Sequence, residues 1–186
     1  MIPFPDKKYK CIYVDPPWPI QLISRKVRPL QLDMPYQTMT LEEIKALPVN
    51  SIADEECHLF LWTTHKWLPK AFEVVEAWGF VYKCMLTWDK TEGFCPFDFM
   101  WSTEFLLFCQ RPGRSLTLRK IGEKTIIRQK SKKHSQKPQS MRNLIERVSY
   151  EPRIELFART KIHGWDVWGN DEKLDHKPLE SFSRLH

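Results

Sequence analysis

The sequence predicts an α/β fold in which helices cover both faces of a mostly parallel sheet. Segments of strand character alternate along the chain with segments of helical periodicity. The inner strands, such as residues 57–62, are continuous apolar runs, which indicates burial on both faces. At 186 residues, against roughly 150 per domain, the chain favours a single domain. We assign that domain to residues 1–170 and treat residues 171–186 as a C-terminal tail.

Each element follows from a local pattern. Strand character is found at residues 11–14, 57–62, 80–88, 104–109, 154–158 and 165–168. Thr40 and Glu43 have the spacing of a capping box, which predicts the start of a short helix. A second helix is predicted over the apolar repeat of residues 68–78, with Gly79 at its C-terminus. A third helix is predicted to begin near Pro138, because proline favours the first helical turn.

Two long segments interrupt this alternation, residues 19–39 and 90–102. Loops of this length in a compact domain are usually functional or disordered. Both segments leave the C-terminal ends of predicted strands, where open α/β sheets bind their ligands. We therefore expect them to be active-site loops.

Composition excludes several classes of protein. The sequence has no run of about 18 apolar residues, so no transmembrane helix is predicted, and its N-terminus lacks the apolar core of a signal peptide. Five cysteines, an odd number with no C-x-x-C spacing, indicate reduced thiols rather than a disulfide framework or a zinc site. We expect a cytoplasmic protein that has no membrane partner and no metal.

The positive charge is concentrated in one segment. The chain carries a net +6, but residues 111–137 contain ten basic residues and one acid, Glu123. This basic segment therefore has a net charge of +9, and the remainder of the chain has −3. Residues 115–119 and 125–128 have strand character, which predicts a basic β-ribbon that contacts a phosphate backbone. The alternative is a solvated surface loop.

The tetrapeptide Asp15-Pro16-Pro17-Trp18 directly follows the first predicted strand. Asp15 would lie at the ligand edge of the sheet, and the prolines remove N–H donors while they keep carbonyl acceptors. The Asp15 carboxylate and the Pro16 carbonyl could accept both hydrogens of an exocyclic amine, while the Trp18 ring stacks on a planar base. The alternative is a Pro-Pro turn in which Asp15 caps the strand.

Together with further segments, this tetrapeptide resembles the DPPW-type adenine-N6 methyltransferases of the MT-A family. The resemblance covers residues 9–170. It is carried by Asp-Pro-Pro-Trp at 15–18, Leu-Phe-Leu-Trp-Thr at 59–63, His-Ser-Gln-Lys-Pro at 134–138, Ile-Glu-Leu-Phe-Ala-Arg at 154–159 and Gly-Trp-Asp-Val-Trp-Gly-Asn at 164–170. It implies a Rossmann-like fold with a permuted motif order, in which the catalytic strand comes first. This order explains why no G-x-G-x-x-G follows the first strand.

The resemblance also implies S-adenosyl-L-methionine as cofactor. Lys137, supported by Ser135, would pair with the cofactor's carboxylate, and Glu155, Arg159 and Asn170 would shape the pocket for its ribose and adenine, with Asp15 beside it. The alternatives are that Lys137 is one more surface lysine, that Glu155 and Arg159 form a structural salt bridge, and that Asn170 belongs to a Gly-Asn turn. The residues that we expect to contact the substrate are Tyr36, Trp101, Arg25, Lys26, Lys130, Lys132 and Lys133.

The expected activity is methylation of the N6 amine of adenine in nucleic acid, with DNA favoured over RNA. The alternatives are an RNA adenosine methyltransferase and an inactive nucleic-acid-binding subunit, although inactive members lack an intact Asp-Pro-Pro-Trp. A small-molecule methyltransferase conflicts with the basic segment. The expected partners are nucleic acid and either a second copy of the chain or a related methyltransferase subunit.

Overall fold

The computed structural model describes residues 3–19, 38–92, 99–114, 116–131 and 136–169. Its seven strands are β1 (Tyr9–Val14), β2 (Ala53–Thr63), β3 (Val81–Asp89), β4 (Thr103–Gln110), β5 (Ile126–Arg128), β6 (Arg153–Leu156) and β7 (Asp166–Trp168). Its four helices are α1 (Leu41–Lys45), α2 (Val49–Ile52), α3 (Leu68–Ala77) and α4 (Gln139–Val148). No helix in the described ranges is both long enough and apolar enough to cross a membrane.

The strands form one sheet in the order β5-β3-β4-β2-β1-β6-β7. Strand β1 pairs in parallel with β2 and β6, whereas β4 is antiparallel to both of its neighbours, β2 and β3. Of the described strands, β4 is thus the one that runs against the others. The predicted mostly parallel, Rossmann-like sheet is confirmed.

Side chains of β1 alternate between two apolar layers, as the period of a strand requires. Ile12 and Val14 pack in the layer formed with α1, α2 and α3, and Cys11 and Tyr13 pack in the layer formed with α4. Both faces of the sheet are therefore covered, as the apolar runs predict. The described cysteines carry free thiols, at positions 11, 57, 84 and 109.

The three predicted helices are present. The Thr40 side chain accepts a hydrogen bond from the Glu43 N–H, and the Glu43 carboxylate accepts one from the Thr40 N–H, which completes the capping box of α1. Gly79, with φ +75°, follows the end of α3 in the left-handed conformation that glycine adopts most readily. The short helix α2 was not predicted, because its four residues show no helical repeat.

The predicted β-ribbon in the basic segment is wrong. Among the described residues of the segment, only β5 is a strand, and it pairs in parallel with β3 instead of with residues 116–119. Leu118 packs against the α4 side of the core, and the Arg119 N–H donates to the carbonyl oxygen of Val148 at the end of α4, at 2.9 Å. These contacts with α4 replace a hairpin ladder.

Candidate active site

Asp15 lies directly beyond the C-terminal end of β1, which is an interior strand of the sheet. Because β1 is parallel to β2 and β6, the C-terminal ends of these strands meet at one edge, which we call the ligand edge. Tyr13 is in register with Glu155 of β6, and Val14 with Leu61 of β2. The first strand and the segment around Glu155 are therefore neighbours although they are far apart in sequence.

The residues after Asp15 are held by hydrogen bonds to the backbone. The Pro16 carbonyl accepts the Trp18 N–H at 2.8 Å, and the Pro17 carbonyl accepts the Met39 N–H at 2.9 Å. The Trp18 indole N–H donates to the Trp62 carbonyl at 3.1 Å. One bond occupies one of the two lone pairs of the Pro16 carbonyl, so the second can still accept an amine hydrogen.

Trp18 is only 8% exposed, and its ring stacks on Trp67 with the centroids 5.9 Å apart. The contacts of this ring brace the turn against β2. A base that stacked on Trp18 would meet only the small exposed part of the ring. Its role in substrate stacking therefore stays a prediction, while its role in shaping the turn is visible.

Lys137, on the segment that leads into α4, joins two carboxylates. Its Nζ lies 3.1 Å from Oδ2 of Asp15 and 3.0 Å from Oε2 of Glu104, the second residue of β4. Lys90 adds a second contact to Glu104 at 3.3 Å. The Lys137 ammonium also lies 5.1 Å from the centre of the Trp62 ring. The result is a neutral cluster of two carboxylates and two ammonium groups at the ligand edge.

Burial and charge determine the ionisation of this cluster. Burial raises the pKa of Asp15, and Lys137 opposes that shift without cancelling it. Burial also acts to raise the pKa of Glu104, but Lys137 and Lys90 together hold that pKa below its ordinary value. Burial acts to lower the pKa of Lys137, but Asp15 and Glu104 outweigh it and raise the pKa. Lys137 therefore stays protonated and positively charged. Of the two carboxylates, Asp15 is the one that is protonated more readily than an ordinary aspartate.

Glu155 forms an ion pair with Arg142 of α4. The two side chains are 10% (Arg142) and 16% (Glu155) exposed, and Arg142 Nη2 lies 2.6 Å from Glu155 Oε2. The Arg142 guanidinium also lies near two neighbouring aromatic rings, 5.1 Å from the centre of Tyr13 and 5.2 Å from that of Trp165. Burial raises the pKa of Glu155, and Arg142 counteracts this effect only in part.

The MT-A70 family model matches residues 9–171, which include all the elements of this sheet. The chain belongs to the MT-A70 family. It is 31% identical to the Type II methyltransferase M.MunI of Mycoplasma sp, over 89% of this chain and 78% of that protein. It is 24% identical to the mouse N(6)-adenine-specific methyltransferase METTL4 over 96% of this chain, and 27% identical to the N6-methyladenosine RNA methyltransferase MTA1 of Pyricularia oryzae over 88%. The chain spans 40% of the METTL4 length and 46% of the MTA1 length.

Of the remaining predicted site residues, Arg159 and Trp101 are described by the structure and the others lie outside the described ranges, except Lys130. Arg159 is exposed beyond β6, and its charge lowers the pKa of Asp15, although less than burial raises it. Trp101 is half exposed, with its ring centre 5.9 Å from that of His65. The following predicted residues lie outside the described ranges: Arg25, Lys26, Tyr36, Lys132, Lys133, Ser135 and Asn170. The same is true of residues 20–37 and 93–98 in the two predicted active-site loops, and of the tail at 171–186.

Acidic side chains neutralise part of the basic segment. Of the eight basic residues that the structure describes in this segment, five form ion pairs, with carboxylates at positions 15, 55, 89, 92, 104 and 123. Lys130, a predicted substrate contact, lies 2.7 Å from Glu92, and both side chains are largely exposed. The charge available to a polyanion is therefore smaller than the +9 that the sequence gives for the segment.

Sequence reasoning missed Glu104, Lys90 and Arg142. Glu104 begins an apolar strand, a place where a charged residue usually faces solvent, and nothing local signals that Lys137 reaches it. Arg142 offered a weak signal, because it interrupts the apolar face of α4 next to Met141 and is itself buried. A charge at such a position requires a partner, but the sequence does not say which.

Proposed function

We propose that this MT-A70 domain transfers a methyl group from S-adenosylmethionine to the N6 amine of adenine in nucleic acid, with DNA favoured over RNA. The observation that carries the proposal is the juxtaposition of Asp15 and the Pro16 carbonyl with Lys137, whose side chain is 18% exposed, at the ligand edge. Acceptors for an amine and a cation for a carboxylate are thus adjacent, and the family match supports this assignment.

The donor groups at this edge suit the cofactor. Lys137 would hold the methionine carboxylate, aided by the N-terminus of the ten-residue helix α4. The ends of β6 and β7 approach each other so closely that a Cβ at Gly169 would lie 3.0 Å from the Ala158 carbonyl oxygen. Arg159 follows that close approach and would border the ribose. The bound cofactor supplies a methyl group on a positively charged sulfur.

Lys137 gives the site a means of releasing Asp15. In the structure its ammonium is shared by Asp15 and Glu104. A ligand carboxylate that takes the place of Asp15 would leave Lys137 with two anionic partners, so its charge stays compensated. Asp15 would then be available to accept an N6–H from the adenine, while the second lone pair of the Pro16 carbonyl accepts the other. Two acceptors fix the orientation of the amine, and orientation supplies much of the rate acceleration.

We favour DNA because the chain covers 78% of the Type II methyltransferase but 46% of the relative that is named as an RNA enzyme. A protein separates RNA from DNA through contacts with the ribose 2′-hydroxyl, and family membership alone does not assign such contacts. The substrate class therefore depends on direct comparison.

The decisive experiment measures transfer of a labelled methyl group to single-stranded DNA, duplex DNA and RNA of one sequence. The wild type is expected to methylate DNA faster than RNA, and Asp15→Asn is expected to lose transfer while it still binds S-adenosylmethionine in calorimetry. Asp54→Asn, a carboxylate at the opposite edge of the sheet, serves as the control and should retain activity. Equal rates for Asp15→Asn and the wild type would refute the proposed mechanism, and a wild type that binds nucleic acid without methylating it would favour the inactive-subunit alternative.

The basic segment is proposed to contact the phosphate backbone. Replacing Lys130, Lys132 and Lys133 with glutamine should weaken DNA binding and make its salt dependence shallower, because fewer counterions are released. Cofactor affinity should not change. The same replacement at three exposed lysines outside the segment is the control, at positions 8, 70 and 83. Unchanged DNA affinity in the first variant would assign the segment to a solvated surface.

A further inference from the structure

Three consecutive large apolar side chains are exposed immediately before β4. Phe99, Met100 and Trp101 are 85%, 62% and 49% exposed. Among the residues that the structure describes, this is the only run of three large exposed apolar side chains. Single exposed apolar residues are ordinary, but a contiguous group at a ligand edge marks a binding surface. We call residues 99–101 the apolar finger.

The base of the apolar finger is fixed to the sheet. The Lys90 N–H donates to the Ser102 carbonyl at 2.8 Å, and the Ser102 N–H donates to the Met100 carbonyl at 2.8 Å. Thr103 is in register with Asp89 at the C-terminal end of β3. Since β4 is antiparallel to β2 and β3, its N-terminal end lies at the same edge as Asp15. The finger therefore projects from the ligand edge.

The finger is also close to the proposed catalytic residues. Trp101 precedes Glu104 by three residues, a separation of at most about 10 Å for an extended chain. Glu104 contacts Lys137, which contacts Asp15. The Trp101 ring also contacts that of His65, whose Nε2 lies 2.8 Å from the Thr103 Oγ1. The apolar finger is thus anchored close to Asp15, where the target amine would be held.

We propose that the apolar finger enters duplex DNA beside the target adenine and fills the space that the adenine leaves when it rotates out to Asp15. This inference rests on the proposed function, because a base stacked inside a duplex cannot reach the Asp15 carboxylate at the ligand edge. Rotation leaves a gap between two apolar base faces, and apolar side chains that insert between base steps stabilise such a gap. An aromatic ring and a flexible thioether suit it, since both stack on bases of any sequence.

The proposal predicts that variants of the finger lose methylation activity on duplex DNA but not on single strands. An unpaired adenine leaves no gap, so the finger should matter for duplex DNA and not for single strands. Trp101→Ala, Met100→Ser and the double variant should each methylate native duplex fragments more slowly, by about tenfold for the double variant, the scale of one lost stacking contact. All three should methylate heat-denatured fragments within about twofold of the wild type. The fold should be retained, because about half or more of each replaced side chain is exposed.

The test uses restriction fragments of one plasmid, native and heat-denatured, and measures incorporation of labelled methyl groups by each variant. Phe72→Ala, which removes an exposed aromatic ring from α3, is the matched control and should not change the ratio of the two rates. Equal losses on native and denatured DNA would overturn the inference, because they would mean that the finger binds the adenine itself. Equal rates for all variants, or a wild type that methylates only single strands, would also overturn it. A wild type that methylates neither form of DNA would instead reject DNA as the substrate and remove the basis of the inference.

Discussion

Arg142 can be tested by replacing it with leucine, which fills a similar volume of apolar core without the charge. In the wild type its guanidinium pairs with Glu155 at 2.6 Å and lies against the rings of Tyr13 and Trp165. Leucine would keep an apolar contact with both rings, but it would leave the Glu155 carboxylate buried without its partner. The variant therefore leaves one unpaired buried charge and removes the contacts of the guanidinium with the two rings.

The magnitude follows from the burial of the pair. Both side chains are more than four-fifths buried, so solvent cannot replace the lost partner. Breaking a buried ion pair by removing one partner costs about 3 kcal/mol or more in the free energy of unfolding. For a chain of this length, 1 kcal/mol shifts Tm by roughly 2–4 °C. We expect Arg142→Leu to lower Tm by about 6–12 °C near neutral pH.

The loss should depend on pH in one direction. Burial already raises the pKa of Glu155 above its ordinary 4.5, and removing Arg142 removes the charge that opposes this shift. Between 4.5 and the raised pKa, the folded state binds more protons than the unfolded state, so the free energy of unfolding falls as pH rises. The deficit of the variant should therefore be small at pH 5 and fully developed at pH 8.

Thermal unfolding followed by circular dichroism at pH 5 and pH 8 measures this deficit. The double variant Arg142→Leu with Glu155→Gln should recover much of the lost stability at pH 8, because it no longer buries a charge. The control Arg114→Leu breaks an exposed pair with Glu55 and should shift Tm little at either pH. A deficit of the same size at both pH values, or a double variant as unstable as Arg142→Leu, would refute the reasoning.

Two further variants test the ligand edge. Glu104→Gln should lower the rate of methyl transfer, because Lys137 then keeps Asp15 as its only carboxylate partner among the described contacts. The acid limb of the kcat/KM profile should also move to lower pH, since the charge of Glu104 helps to raise the pKa of Asp15. An acid limb that does not move would contradict this assignment. Trp18→Phe should lower the free energy of unfolding by about 1 kcal/mol through loss of the indole bond to the Trp62 carbonyl, and denaturant unfolding that matches the wild type would show that the bond contributes nothing.

The sequence alone determined most of the sheet. The apolar runs identified the inner strands because a strand buried on both faces is mostly apolar, and the capping box identified α1 because its hydrogen bonds are local. The motif around Asp15 was recognisable for the same reason, since its four residues are consecutive. Where the prediction failed, as in the β-ribbon of the basic segment, local strand character was overridden by contacts with α4.

The tertiary structure decided which charges meet. Glu104 and Lys137 are 33 residues apart, and Arg142 reaches Glu155 only because α4 packs on the face of the sheet beside β6. The sheet order brings these groups together, and no local pattern in the chain specifies that order. A charged residue at a buried position requires a partner of opposite sign. Which residue becomes that partner depends on interatomic distances that are set only when the chain folds.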